Sequence, residues 1–186
     1  MSSPFGHSLA GYLVSVYESK SLRVKNVKKL LFYFFIANVP DLDFIPGILM
    51  GTPNLFHHGI SHSLGAGILF SCVLAAILSK KSDNFKKEFL ICFGLYGSHI
   101  FLDYLSVDGR PPLGIPIFWP LSNEYFIFPC SLFPSIKHSE LDYATIAEFL
   151  NDAFSIHNFY VFLVELTIYI PIIIILYLNF KRSTKT

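Results

Sequence analysis

Charge is scarce in this chain of 186 residues: Asp, Glu, Lys and Arg together supply 15%, and they nearly cancel at a formal net charge of +1. That balance alone points to no partner. Cysteine is scarcer still. Cys72, Cys92 and Cys130 form no CxxC pair, and the first two fall inside apolar runs, which excludes a disulfide framework and a thiolate zinc site. The opening MSSPFGHSLAGYLVSVYESK lacks the basic leader and small-residue cleavage site of a secretory signal, so it is expected to belong to the mature protein. Internal repeats and low-complexity tracts are missing too. In abundance are apolar residues, at 53%, and aromatic ones, at 17% with 20 Phe and 10 Tyr. With a mean hydropathy of +0.52, the expected solvent is the bilayer. The length fits one domain over residues 1–186.

The clearest candidate crossing is Asn158–Phe180 (NFYVFLVELTIYIPIIIILYLNF), interrupted only by Glu165 and Pro171. Ser63–Ser79 and Glu88–Ser106 come next, the second carrying His99 and Asp103. Leu30–Met50 is apolar but holds Pro40, Asp41, Asp43 and Pro46, so its regular helix is expected to end near Asn38, with irregular backbone beyond lining a protected cavity. Gly6–Glu18 is a weaker apolar helix. The predicted fold is an all-α, multi-spanning bundle of about four to five membrane helices, with an irregular outer cap over residues 107–157.

Basic residues orient this bundle, because cytoplasmic loops collect Lys and Arg. Lys20, Arg23, Lys25, Lys28 and Lys29 share one connection, Lys80, Lys81, Lys86 and Lys87 a second, and Lys181, Arg182 and Lys185 the tail. Alternating crossings place all three segments on one side, leaving only Arg110 and Lys137 on the other. The N-terminus and the cap are therefore expected outside, and the C-terminus inside.

Four short stretches hold the metal-competent side chains: His7 in FGHSL, Asp41 and Asp43 in VPDLD, His57, His58 and His62 in HHGISHS, and His99 with Asp103 in SHIFLD. Each falls at the outer end of its segment, although the topology was drawn from lysines and arginines. His99 and Asp103, at i and i+4, share a helix face and can approach one ion together. If VPDLD is extended, Asp41 and Asp43 point the same way. Mixed His and Asp donors without thiolate suit zinc, with manganese or iron as alternatives, and a carboxylate can bridge two ions. Blander readings stand beside these: His7 as an interfacial residue, the VPDLD aspartates as turn residues, and Ser98 as no nucleophile, since neighbours on a helix do not face each other. Glu165 is expected to hydrogen-bond Tyr or Ser on neighbouring helices. His138 and His157 carry no spacing argument.

The ordered set Gly6–His7, PDLD (Pro40 to Asp43), HHGISHSL (His57 to Leu64), GSHIFLD (Gly97 to Asp103) and GIPIFWP (Gly114 to Pro120) resembles the YdjM-like family of membrane-bound metal-dependent hydrolases over residues 6–120. The resemblance implies an all-helical protein of the inner membrane. It also implies a metal-dependent hydrolase distantly similar to the zinc-dependent phospholipase C and single-strand nuclease superfamily. Carried over by motif, His7, Asp41, His57, His62, His99 and Asp103 are metal ligands, with Asp43 a ligand or an orienting group. Phe44 stands where that pattern often has His, and His58 where it has Arg.

The expected function is hydrolysis of a phosphoester or other ester, in a lipid or lipid-linked molecule, by water activated on one or two zinc-like ions, with Asp41 or Asp43 accepting the proton. Membrane lipids are the expected partners. Nucleic acid is disfavoured because no basic patch faces the site side. The rivals are an ion- or proton-coupled transporter using His99, Asp103 and Glu165, and a non-catalytic membrane protein with a structural metal site.

Overall fold

The computed structural model describes every residue except Met1, residues 23–25, Pro53, Arg110, residues 138–144 and residues 184–186. Arg23, Lys25, Arg110, His138 and Lys185 thus lie outside the described residues. In chain order the helices are α1 (Pro4–Ser19), α2 (Val27–Ala37), α3 (Phe44–Leu49), α4 (Leu64–Ser82), α5 (Phe85–Tyr104), α6 (Ile146–Ala153) and α7 (Ile156–Ser183). Two 3-10 turns, Pro40–Asp43 and Ile60–His62, join α2 to α3 and lead into α4. Among its described residues the cap contributes α6 and two isolated bridges, Ser106 to Phe133 and Ile115 to Phe126.

Local chemistry sets the helix limits. Ser3, Asn26, Ser63 and Asn84 each accept a backbone N–H at the start of a helix, in α1, α2, α4 and α5 respectively. Lys20 and Asp83 close α1 and α4 in the left-handed region, at φ of 49° and 52°. These tight reversals make two helical hairpins, α1–α2 and α4–α5. The hairpins meet along a core of Tyr33, Ile36, Cys92 and Leu95. A second core, with Ala10, Leu102 and Tyr169, brings α7 against α1 and α5.

Two helices are long and apolar enough to cross a membrane, Leu64–Ser82 at a mean hydropathy of 1.6 and Ile156–Lys181 at 2.5. Only 17% of either apolar window is buried inside the protein, so the remainder is left for hydrocarbon. Val27–Ala37 and Pro40–Leu49 pass the same test as a pair bent by 58°, which makes two or three candidate spans by length and composition where four to five were expected. The difference has a plain cause: α5 carries Lys86, Lys87, Glu88 and Asp103, and α1 is 16 residues long.

The bundle has two chemically different ends. At one, Glu18 pairs with Lys29 at 2.6 Å and Lys87 at 3.3 Å, so the basic turns of both hairpins come together. At 1.5 Å per residue, His7 lies about 17 Å along α1 from Glu18, and His99 about 18 Å along α5 from Lys87. The histidines and aspartates therefore gather at the other end.

The 39–50 region departs from expectation. VPDLD is not extended: Val39 is helical, at φ −57° and ψ −40°, and Pro40 opens a 3-10 turn that runs directly into α3. Proline fits there because a first-turn N–H needs no intrahelical acceptor. Asp41 and Leu42 donate their N–H groups to the carbonyls of Asn38 and Val39 at 3.2 and 3.0 Å, so helical backbone carries on from α2 into α3 through a bend of 58°.

Glu165 of α7 is fully buried, as its bonding requires: Ser2 Oγ and Ser3 N donate to Oε1 at 2.5 and 2.7 Å, and Ser3 Oγ donates to Oε2. Tyr169, one turn on, donates to the Gly6 carbonyl at 2.9 Å. A Cβ at Gly6 would sit 2.9 Å from the Glu165 carboxyl carbon and 2.7 Å from Ser2 Oγ, whereas one at Gly94 would meet nothing within 4 Å. Gly6→Ala is accordingly expected to destabilise the protein by about 1–3 kcal/mol through overpacking. Gly94→Ala is expected to be neutral or to stabilise by up to about 1 kcal/mol through helix propensity. Thermal unfolding of the two variants in detergent checks this, and equal midpoints would refute it.

Candidate metal centre

Three elements deliver four side chains to one buried point. The 3-10 turn after α2 brings Asp41, the turn before α4 brings His62, and one face of α5 brings His99 and Asp103. His62 Nε2 lies 3.2 Å from His99 Nε2, 3.5 Å from Asp41 Oδ1 and 3.5 Å from Asp103 Oδ2. His99 Nε2 lies 3.3 Å from Asp41 Oδ1 and 3.1 Å from Asp103 Oδ2. Ligands about 2.0–2.1 Å from a tetrahedral ion stand about 3.3–3.4 Å from one another. These five separations are close to those of a tetrahedral donor set, and the four residues together can hold a metal ion.

The hydrogen-bond accounting agrees. His7 Nε2, both Asp41 oxygens and Asp103 Oδ2 are buried with no hydrogen-bond partner of acceptable geometry. Orphaned buried polar atoms are costly, and a cation removes the cost. The outward faces of the imidazoles are fixed. His99 Nδ1 sits 2.8 Å from the Ala37 carbonyl at the end of α2, so it carries the proton and leaves the Nε2 lone pair inward. His62 Nδ1 sits 3.1 Å from Ser61 Oγ and from Asp43 Oδ2. Ser2 N holds Asp103 Oδ1 at 2.8 Å.

A second position adjoins the first. Asp41, Asp43 and His57 form one further donor group, and His57, His58 and His62 another. Asp41 belongs to the inner group and to an outer one, the place of a bridging carboxylate. Asp43 accepts from Ser61 Oγ at 2.7 Å and meets His57 Nδ1 at 2.9 Å, so it orients two imidazoles at once. A cavity of about 700 Å³ opens beside this outer position, with Asp43, His57, His58, Ser61 and Tyr125 on its wall next to apolar Leu55, Phe56 and Ile60. Trp119 closes the arrangement over α4. Its carbonyl accepts from Gly65 N at 3.2 Å, an approach that a Cβ at Gly65 would block.

Burial and the neighbouring His58 hold the His57 imidazole down to about 3, against the pull of Asp43, so it is neutral and ready to coordinate. His62 goes the other way. Burial disfavours its charge, but Asp41 and Asp43 outweigh burial and raise it to about 9. The same carboxylates that would keep a proton on His62 would hold a metal cation in its place.

A family model for the YdjM inner membrane protein matches residues 1–182. The chain belongs to the YdjM inner membrane protein family. It is therefore a membrane protein of the inner membrane, and the YdjM match extends well beyond residues 6–120, through the cap and α7. No curated protein matches the chain, and no solved structure does.

Of the residues singled out in the sequence, Asp41, His62, His99 and Asp103 converge as one group, and Asp43 and His57 join Asp41 in the next. His7 is set slightly apart. Its ring stacks on His99 at 3.6 Å between centroids and its Nε2 lies 3.5 Å from Asp103 Oδ1, yet it joins none of the donor groups. Phe44 stacks on His57 at 3.9 Å, serving as packing surface where a histidine would offer a donor. Asp108 did not stand out in the sequence, and His58, though among the metal-competent side chains there, was not carried over as a ligand. His58 adopts φ of 61°, which turns its Nδ1 to Asp108 Oδ2 at 3.2 Å and leaves Nε2 buried without a partner. Asp108 is fixed in turn by Gly114 N at 2.8 Å. Their pairing spans 50 residues, and only a left-handed backbone at His58 makes it possible.

Since metal must displace the proton from His62, affinity is expected to rise by at least about tenfold per pH unit between about pH 6.5 and 8.5. Zinc titration against a competing chelator across that range checks it. A flat profile would remove His62 from the ligand set.

Proposed function

We propose that this protein is a membrane-embedded, metal-dependent hydrolase acting on a phosphoester or other ester of a lipid or lipid-linked molecule. The observation that carries the reading is the pairing of a buried tetrahedral donor set with a three-donor group that shares Asp41 and stands beside a polar cavity. Zinc fits the donor chemistry best, because the ligands are imidazole and carboxylate without thiolate. One or two such ions would be held, the inner by Asp41, His62, His99 and Asp103, the outer by Asp41, Asp43 and His57.

A divalent ion so bound supplies Lewis acidity, acidifying water and screening the charge of substrate oxygens. The protein's own groups do the rest. Ala37 O, Asp43 and Ser61 hold the imidazoles in the required tautomer and direction. Asp43, at the wall of the polar cavity, is placed to accept the proton of the attacking water, while Asp41 faces the donor groups on both sides. The water oxygen adds to the ester centre, the ester bond breaks, and the proton passes to the departing oxygen. His7, stacked on His99 beside Asp103, completes the inner wall from outside the donor groups. The membrane reading proposed alongside has α1 and α5 crossing with α4, α7 and the bent α2–α3 pair, four to five crossings in all. The basic turns then lie inside and the site towards the outer face.

A structural metal site is the second reading, favoured by the four protein donors of the inner group, since structural zinc sites are closed and catalytic ones keep an open position. The two readings separate at His57. Wild-type protein purified in detergent is expected to carry about one or two zinc-like ions by elemental analysis and to turn over bis(p-nitrophenyl) phosphate until chelator is added. His62→Ala and Asp103→Ala should lose both metal and turnover. His57→Ala should keep one ion and lose turnover by at least about a hundredfold. Full turnover in His57→Ala would leave the structural reading, and metal-free wild type under metal-replete conditions would end the hydrolase one. Glu165→Gln, which keeps the hydrogen-bonded tie to Ser2 and Ser3, should leave metal content intact, whereas a proton-coupled transporter would fail in that variant.

A further inference from the structure

A second cavity of about 700 Å³ borders Asp41 as the first borders Asp43, and its walls are much the more apolar of the two. Phe5 of α1, Phe44 of α3 and Phe154, Phe159 and Phe162 at the α6–α7 corner line it, with Asp41 at its inner end. Phe5 packs on Phe162 at 5.1 Å between centroids, so the groove is built by contacts between α1 and α7. Phe5, Phe154 and Phe159 are nevertheless 65%, 87% and 62% exposed, which leaves the groove open sideways. Phe159 and Phe162 belong to the most apolar membrane-crossing helix of the chain, so the phase outside that opening is hydrocarbon.

The two cavities are separated by a thin partition. Phe44 lines the apolar groove and stacks on His57, which lines the polar cavity. Asp41 faces the groove and Asp43 the polar side, so the candidate metal positions stand where the two meet. Both Asp41 oxygens are buried without hydrogen-bond partners on the wall of this largely apolar groove, whose other polar lining residues are Ser3, Lys137, Ser155 and Asn158.

Resting on the hydrolase reading above, we propose that this groove is the tail site of an amphiphilic substrate. A hydrocarbon chain enters sideways from the bilayer between α1 and α7, the head group occupies the polar cavity, and the bond cut joins the two. For a phosphodiester lipid, water adds its oxygen to phosphorus, the bond from phosphorus to the tail-bearing alcohol breaks, and the proton goes to that alcohol. The products are a tail-bearing alcohol, which stays in the membrane, and a soluble phosphate monoester. Apolar walls select the chain by area and length, so discrimination between lipids should scale with tail length and be insensitive to salt.

The test uses dioleoyl and dihexanoyl phosphatidylglycerol in the same detergent micelles, with a diazirine-tailed phosphatidylglycerol as a photocrosslinker and bis(p-nitrophenyl) phosphate as a tail-less control. Wild type is expected to favour the dioleoyl lipid by at least tenfold in kcat/KM, and Ala153→Trp, which fills the groove wall, to bring that ratio close to one. Using a ratio makes the result independent of the fraction of variant that folds. Crosslinks in wild type should fall on Phe5, Phe159 and Phe162. A ratio unchanged by Ala153→Trp, or crosslinks spread evenly over the lipid faces of α4 and α7, would overturn the assignment. If the tail-less control is hydrolysed but neither lipid is, hydrolysis stands and the tail site falls. If nothing is hydrolysed, the hydrolase reading falls, and the crosslinks alone decide the groove.

Discussion

Two carboxylates and two imidazoles are held with their donor atoms 3.1–3.5 Å apart in a place that water does not reach. Such a cluster cannot stay bare at low dielectric, because each buried charge left without a partner costs several kcal/mol. A cation, or protons in its stead, must close it. The rest of the structure is arranged around that requirement. Helix α5 presents His99 and Asp103 on one face, the end of α2 offers the Ala37 carbonyl that sets the His99 tautomer, and the first residues of the chain fold back to hold Asp103.

That last contact links the site to the membrane. Ser2 N is bonded to Asp103, and Ser2 Oγ to Glu165 in the middle of α7. The neighbouring Ser3 caps α1 and also donates to Glu165. One buried carboxylate on the lipid-exposed helix thus fixes the start of α1, which in turn fixes a candidate ligand on α5. Glu165 is therefore explained without a proton pathway: its burial is compensated by three donors from two serines, and its removal would loosen Asp103 as well as α7.

Much of this was legible in the sequence, and the reason is periodicity. The apolar runs of α4 and α7 are long enough to read as crossings, the basic turns mark one end, and the i, i+4 spacing of His99 and Asp103 survives in the structure because a helix preserves it. HHGISHS stood out as a cluster, and the structure sets its His57 and His62 in candidate donor groups just ahead of α4. What did not read were relations that no local spacing encodes. The His58–Asp108 pair needs a left-handed residue and a cap segment folded back by 50 positions. Phe44 looked like a lost ligand, whereas its role is set by the ring it stacks against. The number of crossings was hard to read for the opposite reason. In α5 the charged residues that serve the two ends lower the hydropathy of the helix between them.

The shape of VPDLD is the most instructive, because the sequence left an extended segment and a turn both open and the conformation changes the chemistry. In an extended segment, Asp41 and Asp43 would point to the same side and serve one ion as a pair. A 3-10 turn has three residues per turn, so positions two apart diverge by about 120°. Asp41 is sent towards His62, His99 and Asp103, and Asp43 towards His57 and Ser61. Divergence also puts Asp41 on the apolar side of the partition and Asp43 on the polar side. Two aspartates from one short turn therefore do different jobs, one shared between neighbouring donor groups and the other orienting imidazoles at the wet wall. The proline that seemed to favour an extended segment is what starts the turn, and the division of labour between the carboxylates follows from it.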